Sequence, residues 1–182
     1  EDLPPAVVHQ AKRLVVDTVG CALGGSDGET ARIALAQAAT VTSREPVGIL
    51  CSDARTSADL AAFANGVMIR YLDFNDGYTG REAGHPSDSI AALLAAAELG
   101  SANGRELIVA IVIAYEMFCR MCDTVNFKPM GFDHVTIGAM ASVLGAARLL
   151  KLTPAQITHA LNITVASSVA LYQTRIGNVS MW

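Results

Sequence analysis

Leu72-Asp73-Phe74-Asn75-Asp76-Gly77-Tyr78-Thr79-Gly80-Arg81-Glu82-Ala83-Gly84-His85-Pro86-Ser87-Asp88 is a polar interruption in an otherwise apolar chain. Read as a loop between two helices, it makes the fold all-α. Upstream, Thr56–Leu72 carries helical periodicity, with Thr56 as the expected N-cap and Asp59 at the capping-box position. Downstream, Ser87 is the expected cap of a helix that runs through the apolar series Ile90–Ala97 until Gly100 stops it. A loop of this length between helices is uncommon unless it carries function or is disordered. Gly77, Gly80 and Gly84 permit tight backbone turns within it.

The same periodicity extends outward in both directions. Pro4–Leu23 predicts a first helix ended by Gly24-Gly25, and Glu29–Thr40 a second, Ala-rich one. Val47–Cys51, after Glu45-Pro46, is short enough to be a small strand. Beyond Gly104, Arg105–Val125 is apolar nearly all round, which predicts a buried helix. Asn126–Asp133 is a second loop, His134–Leu152 a sixth helix, and Thr153-Pro154 opens a seventh that loosens at Ala166–Ser168. One domain over residues 1–182 accounts for this pattern, a multi-helical all-α unit.

Bulk chemistry narrows the partners. Apolar residues make up 52% of the chain and charged residues 16%, with a net charge of −4. Charged residues make up about 25% of an ordinary domain, so some apolar surface is expected to be covered by another domain or subunit. No Lys/Arg cluster points to nucleic acid, and runs such as Ile108–Tyr115 are too short for a membrane span. No signal peptide pattern stands at the N-terminus, and a reduced cytoplasmic setting is expected. Cys21, Cys51, Cys119 and Cys122 lie in apolar segments, as buried free thiols do. Cys119-Arg120-Met121-Cys122 lacks a second pair at zinc spacing and sits within a helix, so core packing is expected there and no metal.

Candidate chemistry gathers at two helix starts. His85 and His134 each precede a helix, and an imidazole serves as acid or base near neutral pH. Two in one cleft would supply a donor and an acceptor. Among Asp73, Asn75 and Asp76, one carboxylate could accept a proton or orient the imidazole of His85, or all three are turn formers bonding their own backbone. Asp133, just before His134, reads as an N-cap. Arg70, Arg81 and Arg175 are the cations nearest the polar loops, each either a carboxylate anchor or a surface ion pair. Tyr172-Gln173-Thr174-Arg175 is a polar cluster after an apolar helix, hence a candidate substrate-facing segment. His9 and His159 lie within helices without polar neighbours and read as structural. No dinucleotide fingerprint, P-loop, HExxH or GxSxG motif is present.

Asn65-Gly66, Arg70-Tyr71-Leu72-Asp73-Phe74-Asn75-Asp76, Gly84-His85-Pro86-Ser87-Asp88 and Gly131-Phe132-Asp133-His134-Val135-Thr136 together resemble the MmgE/PrpD family. That family includes 2-methylcitrate dehydratase, cis-aconitate decarboxylase and iminodisuccinate epimerase. The loop spacing looks more like the dehydratase branch. The resemblance implies a helical domain joined to a smaller α+β domain, usually in a homodimer. It also implies acid–base chemistry on small di- or tricarboxylates without a metal or other cofactor. Its active-site positions fall on Asp73, His85 and His134 as catalytic groups, with Asp76 and Gly77 nearby as substrate contacts. Gly77 stands where the family often has Thr. Arg81, Gln173 and Arg175 complete the expected carboxylate-binding set. The family pattern places an active-site lysine shortly after the segment resembling Asn178–Trp182, and with it a second domain. The implied activity is a hydro-lyase of the 2-methylcitrate dehydratase type. The alternatives are a decarboxylase, an epimerase, or a truncated, non-catalytic helical fragment or interaction module.

Overall fold

The structure is a computed structural model and describes residues 2–176. Among them are seven α-helices: α1 (Pro5–Gly25), α2 (Glu29–Ala38), α3 (Ala58–Arg70), α4 (Ile90–Leu99), α5 (Gly104–Thr124), α6 (Val135–Leu149) and α7 (Pro154–Ser167). The fold is all-α, as the periodicity predicts. No helix among the described residues is long and apolar enough to cross a membrane. The expected segment Asn178–Trp182 lies outside the described residues.

Two apolar clusters share the load. One joins α4, α5 and α6 through Leu93, Ile111, Phe118, Ile137 and Leu149. The other joins α2 and α3 to α4 and the first strand pair through Ala34, Val47, Ala61, Met68 and Ile69. Alanine lets these helices approach closely. At Gly145 on α6 the approach is closer still: a Cβ there would stand 2.5 Å from Leu93 Cδ2 and 3.0 Å from the Ala110 carbonyl oxygen.

Local capping agrees with the sequence at two helices. Asn103 accepts from Arg105 N at 2.9 Å and Glu106 N at 3.1 Å, and Glu106 reaches back to Asn103 N at 2.9 Å. Thr153 and Gln156 form the same reciprocal box at α7, with Pro154 in its first turn.

Elsewhere the structure corrects the expectations. Ser57, not Thr56, is the N-cap residue of α3. The Thr56 hydroxyl instead donates toward the Ala38 and Val41 carbonyls at 2.8 and 3.2 Å, tying α3 to the end of α2. The expected strand Val47–Cys51 shrinks to β1 (Val47–Gly48), paired antiparallel with β2 (Arg55–Thr56), and Cys51 is exposed. Helix α5 is not buried all round. Ala110, Ile111, Ala114, Phe118 and Cys122 form its buried face, while Glu116 and Arg120 are exposed and pair with each other at 2.7 Å. Ser87 does not cap α4. It lies in a 3₁₀ turn, Pro86–Ser89, ahead of it. Inside the long loop a hairpin forms, β3 (Tyr78–Thr79) against β4 (Ala83–Gly84).

Candidate active site

The long loop is held by its own polar side chains. Asn75 is buried, and its Nδ2 donates to Ser87 Oγ at 2.9 Å and to Asp88 Oδ1 at 2.8 Å. Arg70, at the end of α3, donates to Asn75 Oδ1 at 2.7 Å and meets Asp73 Oδ1 at 2.7 Å. Asp73 takes a left-handed φ of 54°, and its amide donates to the Arg70 carbonyl at 3.0 Å. Asp73 thus sits in a turn made by its backbone, while its exposed carboxylate pairs with Arg70 and reaches within 3.7 Å of His85 Nε2.

His85 is oriented by a backbone oxygen. Its Nδ1 lies 2.7 Å from the Asp76 carbonyl oxygen, and a carbonyl can only accept. Nδ1 therefore carries the hydrogen in the neutral ring, leaving Nε2 as a bare base. Asp76 is itself gripped: Oδ1 accepts from Ser87 N at 3.0 Å and Oδ2 from the Tyr115 hydroxyl at 2.8 Å. Burial, then the adjacent Asp76 carboxylate, pushes the Tyr115 phenol far up, so it stays a donor.

His134 precedes α6 and is 8% exposed. Its ring centroid lies 6.0 Å from that of His85, with the planes tilted by 56°. Burial lowers its pKa, outweighing the Asp133 carboxylate 3.3 Å from Nδ1. The ring fits because Gly84 has no side chain. A Cβ there would stand 2.6 Å from His134 Cδ2 and 2.8 Å from Phe118 Cζ. Gly80 is needed likewise, with a virtual Cβ 2.6 Å from Asp123 Oδ1. Neither glycine has a positive φ; Gly80 lies in the tight hairpin turn, its amide donating to the Glu82 carbonyl at 2.8 Å, while Gly84 serves close approach.

The N-cap residue of α6 is His134, not the expected Asp133, which stands one residue earlier and ties the helix start to the chain after α7. Oδ1 accepts from Val135 N at 3.1 Å, and Arg175 forms a two-pronged pair with both carboxylate oxygens. Burial alone would raise the Asp133 pKa, but Arg175 and the Val135 amide hold it below its ordinary value. The backbone after α7 docks alongside: Asp133 N donates to Ala170 O and Tyr172 N to Gly131 O, both at 2.9 Å. Glu82 ties two loops together, a role that no local pattern signals. It is buried, and its carboxylate accepts from Ala83 N at 3.0 Å, Phe127 N at 3.0 Å and Lys128 N at 3.3 Å. Lys128 Nζ lies 3.3 Å from it.

These groups line a cleft of about 250 Å³ bounded by Gly77, Gly84, His85, Lys128, His134 and Arg175, among others. Of the expected site residues, His85, His134, Gly77 and Arg175 face this cleft. Asp73 lies beside Nε2 of His85 without lining the cleft, and Asp76 is occupied by Ser87 and Tyr115. Arg81 sits at the exposed hairpin tip, away from the cleft, and Gln173 is exposed in the 3₁₀ turn Tyr172–Arg175. His9 and His159 are exposed on α1 and α7, as their helical settings suggested. Among the described residues no group of His, Cys, Asp and Glu is arranged to hold a metal ion. Burial first, helped by nearby acids, raises the Cys119 and Cys122 thiols to about 11, so neither is a ready thiolate.

An all-α unit with two imidazoles facing one cleft defines a candidate acid–base domain. The chain belongs to the MmgE/PrpD family: the MmgE/PrpD N-terminal domain matches it over residues 1–182. It is 30% identical over 161 residues to a 2-methylcitrate dehydratase of Escherichia coli K12, covering 82% of this chain and 33% of that protein. A Cupriavidus necator 2-methylcitrate dehydratase is 32% identical over 165 residues, covering 84% and 34%. A 2-methylcitrate dehydratase-like protein of Aspergillus oryzae is 31% identical over 179 residues, covering 86% and 35%. The chain thus spans about a third of the length of these relatives.

Proposed function

We propose that this domain supplies the acid–base half of a hydro-lyase that removes water from a small hydroxy tricarboxylate of the 2-methylcitrate type. The observation that carries the reading is the pairing of His85 and His134 across one cleft at 6.0 Å. Elimination needs a base for the C–H proton beside a carboxylate. It also needs an acid for the departing hydroxyl and cations for the carboxylates. His134, kept neutral by burial, suits the base. His85, once doubly protonated, keeps one hydrogen on the Asp76 carbonyl through Nδ1 and holds the other at Nε2 beside the Asp73 carboxylate. This suits the group that hands a proton to the leaving hydroxyl and returns to the Nδ1–H form. As the C–H bond breaks, its electron pair forms the double bond and the C–O bond releases water. Arg175 and Lys128 at the cleft wall are the carboxylate anchors, each itself held by a buried acid. The relatives' names support the dehydratase branch.

The test is turnover of 2-methylcitrate by the full-length protein and its His85→Asn variant, followed by the ultraviolet absorbance of the unsaturated product. Loss of roughly a hundredfold or more with an unchanged melting temperature is expected. Near-normal turnover sinks the role of His85. Release of CO₂, or inversion without water loss, would move the reaction to a decarboxylase or an epimerase.

A further inference from the structure

We propose that Tyr115 is a positioning residue for His85, acting through Asp76. The chain of contacts is short. The Tyr115 hydroxyl donates to Asp76 Oδ2 at 2.8 Å, and the backbone oxygen of the same Asp76 accepts from His85 Nδ1 at 2.7 Å. That carbonyl belongs to the peptide joining Asp76 to Gly77, and glycine places little restriction on how the peptide turns. A Cβ on Gly77 would meet nothing within 4 Å, so packing does not fix the peptide on that side. The restraint comes from the Asp76 side chain, clamped at one oxygen by Ser87 N, at 3.0 Å, and at the other by Tyr115.

Tyr115 is the half of this clamp that comes from outside the loop. It projects from α5, whose buried face is built into the larger apolar cluster, so it ties a flexible peptide to a rigid helix. Removing its hydroxyl leaves Asp76 held by the loop alone. The carbonyl then turns more freely, and His85 is no longer obliged to keep its hydrogen on Nδ1. The tautomer with hydrogen on Nε2 becomes populated, and that tautomer presents a donor to the cleft where the bare nitrogen stood.

The experiment reads the tautomer directly and does not depend on the dehydratase reading. Full-length protein labelled with ¹⁵N at histidine is compared with Tyr115→Phe at about pH 8, above the ordinary imidazole range. His85 in the parent protein is expected as a single Nδ1–H form. In Tyr115→Phe a measurable Nε2–H fraction is expected, with kcat on 2-methylcitrate down on the order of tenfold and KM little changed. A Tyr115→Phe protein that folds and keeps the parent's single tautomer overturns the proposal, whatever happens to turnover. If Tyr115→Phe does not fold, Asp76→Asn decides by the same spectrum: it keeps the side-chain shape but weakens both clamping bonds, and an unmoved tautomer there overturns the proposal too. A parent protein inactive on 2-methylcitrate tells against the proposed substrate and leaves the tautomer result standing.

Discussion

At the scale of single residues, the site depends on where side chains are missing as much as on where they are present. Gly84 is the clearest case, because His134 occupies the volume its Cβ would take. Gly84→Ala is expected to cost about 1–3 kcal/mol, the usual range for overpacking, and to displace His134 from His85. Urea denaturation and turnover of the full-length protein check it. An alanine variant matching the parent in both would mean the His134 ring has room to spare. The two histidines were legible in the sequence because each sits just ahead of a helix within a polar stretch. Asp73 and Asp76 were legible as groups that could orient an imidazole, but the more distant ties were not. Tyr115 lies 39 residues from Asp76 inside an apolar helix, where nothing in the local pattern separates it from core. Glu82 reads as one more acid in a polar loop, yet it is buried and binds two amides of the α5–α6 connection. Arg81 carried the right charge but stands at a hairpin tip that periodicity does not reveal.

At the scale of elements, the helices were legible because their apolar spacing, caps and Gly or Pro stops agree with one another. Of the strands only β1 was foreshadowed, at the start of Val47–Cys51; the other two-residue strands have no periodicity to read. The shift of the α3 cap from Thr56 to Ser57 has a tertiary cause: the Thr56 hydroxyl is taken by the end of α2. Helix α1 retains one polar flaw. The Thr18 hydroxyl is buried with no hydrogen-bond partner among the described residues. Thr18→Val removes that unpaired group at nearly constant shape. Both residues are β-branched, so helix preference changes little, and the substitution is expected to stabilise the protein by about 1 kcal/mol. A urea midpoint equal to or below the parent's would show that the hydroxyl finds a partner in solution.

At the scale of the whole molecule, the cleft is assembled from three distant stretches: the α3–α4 loop, the start of α6 and the backbone after α7. Each is tied by an ionisable group whose protonation loosens it, so folding and the site share one pH dependence. His134 has its pKa lowered from 6.5 by burial, so between that value and its folded one the unfolded chain binds more protons. Its contribution is whole above about pH 6.5 and is lost as pH falls through that window. Glu82 and Asp133 are lowered from 4.5 and 3.8. Burial opposes the shift in both, but the amides and cations around them outweigh it. Their contributions are whole above those values and are lost at lower pH. The melting temperature should therefore decline in two stages on acidification, a mild one starting near pH 6.5 and a steeper one below about 4.5. His134→Gln replaces the titrating ring with a neutral group and should flatten the first stage while leaving the second. Melting curves of parent and variant across this range decide the point. An unchanged first stage in the variant would assign that acid sensitivity to another group and remove His134 from the link between site and stability.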